Sequence, residues 1–176
     1  MTTMLRVDLR QLERKNRLPI EADLPVNSPL WKEAQLHMAE PLEVRLEAQQ
    51  AGHDVVVRGS LKGSVALACR RCLAPVSASI DEEVSLVFRP GLSRVEAEAE
   101  EVYALPARGE ELDLSDAIRE QVVLAVPQYG MCKEDCRGLC PHCGTNLNHE
   151  QCDCTSNAVD PRWAALRALR KDVSTR

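Results

Sequence analysis

Hydrophobic positions recur every second residue through most of the first half of the chain. Leu5, Val7 and Leu9 alternate with Arg6, Asp8 and Arg10, the period of a half-buried strand. A polar, proline-containing stretch follows to Pro29, where Ser28 and Pro29 suit the cap and first position of a short helix through Leu36. From Pro41 the two-residue period returns. Leu42, Val44 and Leu46 oppose Glu43, Arg45 and Glu47, and the alternation continues through Val55 and Val57, Val65 and Leu67, then Val76, Ile80, Val84, Leu86 and Phe88. Turn signals at Ala51-Gly52, Gly59-Ser60, Lys62-Gly63 and the stretch from Cys69 to Pro75 divide the run into a meander of antiparallel strands.

The pattern then changes. Ser93 to Glu111 shows little apolar periodicity and reads as a mobile surface loop. Asp113 or Ser115 can cap a helix over residues 114–126, which Pro127 ends; its second half is apolar on nearly all sides and predicts a largely buried element. Tyr129 to Asp160 holds only six apolar residues other than cysteine in 32. Burial there cannot offset the roughly 1–2 kcal/mol per residue of lost backbone entropy, so that segment needs another source of order. Asp160 and Pro161 open a final helix through Lys171, with Trp163, Leu166 and Leu169 on one stripe.

Cysteine supplies the missing order. Cys132, Cys136, Cys140, Cys143, Cys152 and Cys154 fall within 23 residues, and Cys140-Pro141-His142-Cys143-Gly144 has the form of a zinc knuckle. A structural zinc contributes roughly 10–16 kcal/mol in small peptides, against about 2–4 for a disulfide. The chemistry therefore points to zinc, held by Cys140 and Cys143 with two of Cys132, Cys136, Cys152 and Cys154. His142 and His149 are further candidate ligands, set against a plainer role as solvated loop residues. Cys69-Arg70-Arg71-Cys72 stands apart at a hairpin tip, where three readings stay open: half of a second metal site, a redox dithiol, or a tight turn.

Charge changes the picture in one respect. The chain of 176 residues carries a formal charge of −5, which argues against coating nucleic acid by bulk attraction. Residues 91–120, however, hold nine acidic and three basic side chains, so the remainder is close to neutral. Val55 to Ala78 contains Arg58, Lys62, Arg70 and Arg71 and no carboxylate, making these four candidate RNA contacts. Five aromatic residues are too few to suggest a base-stacking platform. The start of the chain lacks the apolar core of a secretory signal, and no run approaches the ~20 residues that span a bilayer. The expectation is a cytoplasmic protein, reducing conditions favouring metal-bound thiolates over disulfides. No phosphate loop, nucleophile elbow or metalloprotease helix occurs, so the sequence specifies no reaction and no small-molecule substrate.

Four separated motifs now arrive in a familiar order: Cys69-Arg70-Arg71-Cys72, the helix from Leu112 to Pro127, the run Cys136-Arg137-Gly138-Leu139-Cys140-Pro141-His142-Cys143-Gly144-Thr145-Asn146-Leu147-Asn148, and Asp160-Pro161-Arg162-Trp163 through Leu169. Together, over about residues 41–170, they resemble the YceD family of large ribosomal RNA subunit accumulation proteins. The resemblance implies a part in synthesis, processing or stability of large-subunit ribosomal RNA, hence ribosome biogenesis, without catalysis.

The expected architecture is α+β: an antiparallel sheet or small open barrel with a buried helix, residues 1–128, and a zinc-stabilised module with a closing helix, residues 129–176. The expected function is a non-enzymatic factor that binds precursor ribosomal RNA or an assembly protein. Two competitors are a protein–protein adaptor working through the acidic stretch 96–111 without touching RNA, and a thiol oxidoreductase with a reactive Cys69 or Cys72.

Overall fold

The computed structural model of the protein describes residues 5–106 and 111–154. The alternating pattern builds an α+β fold around an open, mixed five-stranded sheet. Its strands are β2 (Arg17–Leu24), β3 (Met38–Ala51), β4 (Asp54–Ala68), β5 (Pro75–Pro90) and β6 (Tyr103–Leu105), in that spatial order. The first four are antiparallel and β6 pairs parallel with the end of β5. A separate two-stranded sheet joins β1 (Arg6–Asp8) to β7 (Glu111–Asp113). The sheet does not close into a barrel, so the open form of the expected architecture holds.

The buried face collects Leu18, Ile20, Leu42, Val44, Val57, Leu61, Ile80, Val84 and Leu86 from the sheet. Helices α1 (Leu9–Lys15), α2 (Pro29–Glu33) and α4 (Ser115–Ala125) add Leu12, Trp31, Ile118 and Val122 to the same core. Trp31 is 1% exposed, and its indole N–H donates to the Pro25 carbonyl at 3.0 Å. A buried indole needs such a partner, because an unmet donor would cost roughly 1–3 kcal/mol of what the ring's burial contributes.

Several local expectations are corrected. The N-terminal strand stops at Asp8, whose carboxylate accepts from the Gln11 amide at 2.9 Å and starts α1; capping outcompetes the alternation. The proline-containing stretch after it is β2, whose burial alternates regularly from Arg17 to Leu24. Pro19 is tolerated because β2 is an edge strand with one side of its backbone unpaired. The residues read as a mobile loop after Ser93 contain α3 (Arg94–Ala99), opened by a reciprocal capping box between Ser93 and Glu96. Helix α4 is less buried than its composition suggests, with Leu124 71% exposed. The final helix expected over residues 160–171 lies outside the described residues.

The supposed turns at Gly59-Ser60 and Lys62-Gly63 lie inside one continuous 15-residue strand, β4. Gly59 adopts φ +147°, and a Cβ there would meet the Arg45 carbonyl oxygen at 2.1 Å and the Leu46 Cα at 2.8 Å. The glycine thus marks a close approach of β3, not a break. The partners along β3 end at Met38, opposite Val65, and β2 ends earlier still. Beyond them β4 and β5 continue as a two-stranded ribbon whose tip is Cys69 to Ala74.

Replacing Gly59 by Ala is expected to destabilise the fold by about 1–3 kcal/mol or more through that backbone clash. Equilibrium unfolding in urea would register it as a lower midpoint; an unchanged midpoint would contradict the strand geometry.

Candidate metal centre

Hairpin tip and C-terminal segment meet through sulfur. Cys69, Cys72, Cys132 and Cys136 form one group, and Cys140, Cys143, Cys152 and Cys154 a second, with all the sulfurs of each group within 4.8 Å of one another. Cys69 Sγ lies 3.8 Å from Cys136 Sγ, and Cys72 Sγ lies 3.6 Å from Cys132 Sγ. Bonded sulfurs would be about 2.05 Å apart. Four thiolates around a metal at 2.3 Å would instead have tetrahedral edges of about 3.8 Å, which is the separation found.

Each group is built on a knuckle, and the two knuckles share a hydrogen-bond scheme. The Cys69 amide donates to the Ala74 carbonyl at 2.8 Å, and the Leu73 amide donates back to the Cys69 carbonyl at 2.9 Å. In the second, the Cys140 amide donates to Thr145 at 2.8 Å and the Gly144 amide to Cys140 at 3.0 Å. Both place the residue after the second cysteine in the left-handed region, Leu73 at φ 60° and Gly144 at φ 76°. Glycine adopts that conformation freely, whereas an L side chain loses roughly 1–2 kcal/mol there.

Electrostatics also favours a shared cation. Amides of Cys72, Arg71 and Cys132 pull the Cys69 thiol down to about 6, while the Cys136 sulfur, followed by burial, pushes Cys132 up to about 12. The second group repeats the split: Thr145 lowers Cys143 to about 6, and the Cys143 sulfur raises Cys154 to about 12. Two thiols are drawn down in each group, Cys136 along with Cys69 and Cys140 along with Cys143, and the other two are raised. A divalent metal removes that split by displacing the remaining protons.

The groups are joined by a short crossing. The Leu139 amide donates to the Arg71 carbonyl at 3.0 Å, and a Cβ on Gly138 would stand 3.0 Å from that same oxygen. Arg71 Nη1 donates to the Cys136 carbonyl at 2.8 Å. Asn148 lies in the loop of the second group, yet its side-chain N–H donates to Cys136 Sγ of the first at 3.3 Å, while its oxygen accepts from the Arg137 amide at 2.9 Å.

The family model described as large ribosomal RNA subunit accumulation protein YceD matches residues 57–170, a span that contains both knuckles and all eight cysteines. The chain belongs to the YceD family. Uncharacterized proteins of Mycobacterium bovis and Mycobacterium tuberculosis are each 30% identical to this YceD-family chain over 169 residues, covering 91% of it and 78% of their own length. The chloroplastic large ribosomal RNA subunit accumulation protein YCED homolog 1 of Arabidopsis thaliana is 25% identical over 159 residues, covering 76% of this chain and 50% of the plant protein. No solved structure matches.

The sequence-derived site residues divide accordingly. Cys140 and Cys143 join Cys152 and Cys154, one of the pairings left open, whereas Cys132 and Cys136 turn to the hairpin. Cys69-x-x-Cys72 is thus half of a four-sulfur group, not a plain turn. Neither His142 nor His149 belongs to a group. The four basic candidates are not one patch. Lys62 pairs with Asp81 at 3.2 Å and Arg58 donates to Ser85 at 3.3 Å, and Lys62 precedes Arg70 by eight residues, roughly 26 Å of strand. Arg70 and Arg71 remain at the tip, where Arg70 lies 5.1 Å above the Tyr129 ring. Sequence reasoning passed over Tyr129, Leu73 and Asn148. For Leu73 the signal was available in comparing the residue that follows each Cys-x-x-Cys.

Outer-shell donors of this kind typically tune metal affinity 10–100-fold. Asn148→Ala is expected to weaken cobalt(II) binding at the first group by that amount while leaving the second intact. Titration followed by thiolate-to-cobalt absorption, in variants carrying only one complete group, measures each separately; equal affinities with and without Asn148 would remove its role.

Proposed function

We propose that this protein is a non-enzymatic ribosome-biogenesis factor that sustains large-subunit ribosomal RNA, working in the cytoplasm, with one zinc ion in each four-cysteine group. The single observation that carries the functional part is membership of the YceD family, together with the name of the plant relative, a large ribosomal RNA subunit accumulation protein. The partner is precursor ribosomal RNA or a protein bound to it. A soluble setting is in keeping with the absence, among the described residues, of any helix long and apolar enough to cross a membrane.

Support for a non-catalytic role comes from how the thiols are used. Closed sites with four thiolates are structural, because a catalytic zinc keeps one position for water or substrate. A thiol oxidoreductase would need Cys69 or Cys72 free to attack, and both are buried among the other sulfurs of their group. The acidic residues once assigned to an adaptor loop are partly engaged within the fold: Glu96 in its capping box, Glu98 with Arg94, Glu100 with Arg89 and Glu111 with Arg6.

Protein prepared without oxygen is expected to contain two zinc ions per chain by elemental analysis, and none would overturn the assignment. Chelation should raise hydrogen exchange in residues 129–154 and in the ribbon end, 66–77, while the paired centre of β3 and β4 stays protected. Uniform protection would show that the metals hold nothing in place. In cells, depletion is expected to lower large-subunit ribosomal RNA relative to small-subunit RNA by quantitative sequencing. An unchanged ratio and unchanged processing would refute the biogenesis role.

A further inference from the structure

The two knuckles differ where their geometry asks for the same residue. Gly144 satisfies the left-handed position in one; in the other it is taken by Leu73, whose side chain is 64% exposed. Among the described non-glycine residues with positive φ, the others are Asn16, Gln35 and Glu101, so Leu73 is the one hydrophobic residue held this way. The knuckle's hydrogen bonds hold the backbone there and glycine would satisfy them at less cost, so the turn itself does not call for a leucine side chain, and that side chain is turned to solvent.

What surrounds it identifies the visitor. Tyr129 is 65% exposed, with the Arg70 guanidinium over its ring, and the Arg70 amide donates to the Gly130 carbonyl at 3.0 Å, tying that ring to the knuckle. Arg71 and Arg137 are also exposed at the crossing. Among the described residues, Arg70, Arg71 and Arg137 have no ion pair with a carboxylate, whereas Arg17, Arg45, Lys62, Arg89 and Arg119 each have one. An exposed ring, a guanidinium plane and an apolar side chain thus share one tip.

We infer that the Leu73 knuckle is a contact for unpaired nucleotides of RNA. A base stacks on the Tyr129–Arg70 pair, Leu73 packs against the apolar face of the base or sugar, and Arg137 meets a backbone phosphate, while Arg71 holds the junction through the Cys136 carbonyl. Unpaired strands expose base faces to aromatic and guanidinium planes, which a duplex does not. Such stacking tolerates any sequence. A protein partner would cover Leu73 and Tyr129 as well, but a guanidinium held over an exposed ring is a stacking surface suited to a base. The inference rests on the RNA reading of the proposed function.

The test uses the full-length, zinc-loaded protein, with a fluorescein-labelled single-stranded RNA of mixed sequence and its duplex as probes, read by anisotropy at two salt concentrations. Leu73→Gly is expected to keep its zinc and melt no lower than the wild type, yet bind the single strand about 5-fold more weakly; Tyr129→Ala should lose about 5- to 100-fold. Arg94→Ala, away from the tip on α3, should bind as the wild type does, and the duplex should bind less tightly than the strand. Tip variants that bind normally would overturn the inference. So would a loss on Arg70→Ala that tracks zinc loss, which would make the arginine a charge partner of the metal group. Normal RNA binding combined with loss of an assembly protein from the captured ribosomal fraction would reassign the surface to a protein. A wild type that binds no RNA would instead remove the direct RNA reading itself.

Discussion

A two-stranded ribbon that outruns its sheet cannot hold its own end, because neither face has a layer to pack against and each strand has only one neighbour. The end of β4–β5 is close to that position: Leu67 reaches the main core, and the Gly130 backbone lies against Leu67 and Val76. Its only buried cluster is small: Cys69, Cys72 and Cys136, with Ala74, Val76 and Leu139 against them. The main core of sheet and helices is a separate cluster. The described residues after Pro127, up to Cys154, meet the rest of the fold here, where the Gly130 and Leu139 segments hydrogen-bond to Arg70 and Arg71. Bonds from sulfur to a common metal are of the right strength for the task where burial is not.

The two sulfur groups divide the work by range. The second draws its sulfurs from 15 consecutive residues and sits in a local hairpin, marked by the bridge between Leu139 and Asn146. The first joins residues more than sixty positions apart and fixes that hairpin onto the ribbon. Gly138 permits the close crossing between them, and Asn148 reaches from one to the other. Arg71 serves the same junction through the Cys136 carbonyl, so part of the positive charge that looks free in the sequence is structural.

Much of this was legible from the chain alone. The period-2 pattern gave the long strands because each has one buried face, and Leu42, Val44 and Leu46 sit where the pattern puts them. Gly59 misled because a glycine in a strand can mark either a turn or a close approach, and only the neighbouring strand distinguishes them. β2 was missed because Pro19 argues against a strand unless the strand is known to be at an edge. Cysteine spacing pointed to the Cys140 knuckle and to a thiol group that could hold a metal, but spacing measures local reach. The partnership of Cys69 and Cys72 with Cys132 and Cys136 depends on where a hairpin tip ends in space, which no interval along the chain records. Helix α4 looked buried by composition, and its exposed Leu124 shows that a helix can be apolar beyond what its sheet can cover.

The order of the cysteines along the chain has a consequence for how the protein comes into being. Residues 69, 72, 132 and 136 form one group and 140, 143, 152 and 154 the other, so the sets are consecutive and do not interleave. As the chain emerges during synthesis, the first set is complete before any member of the second has been made. Each can close in turn without borrowing a sulfur from the other, and a correct partner always precedes the wrong one. Sequence order alone thus keeps the two sets of four apart.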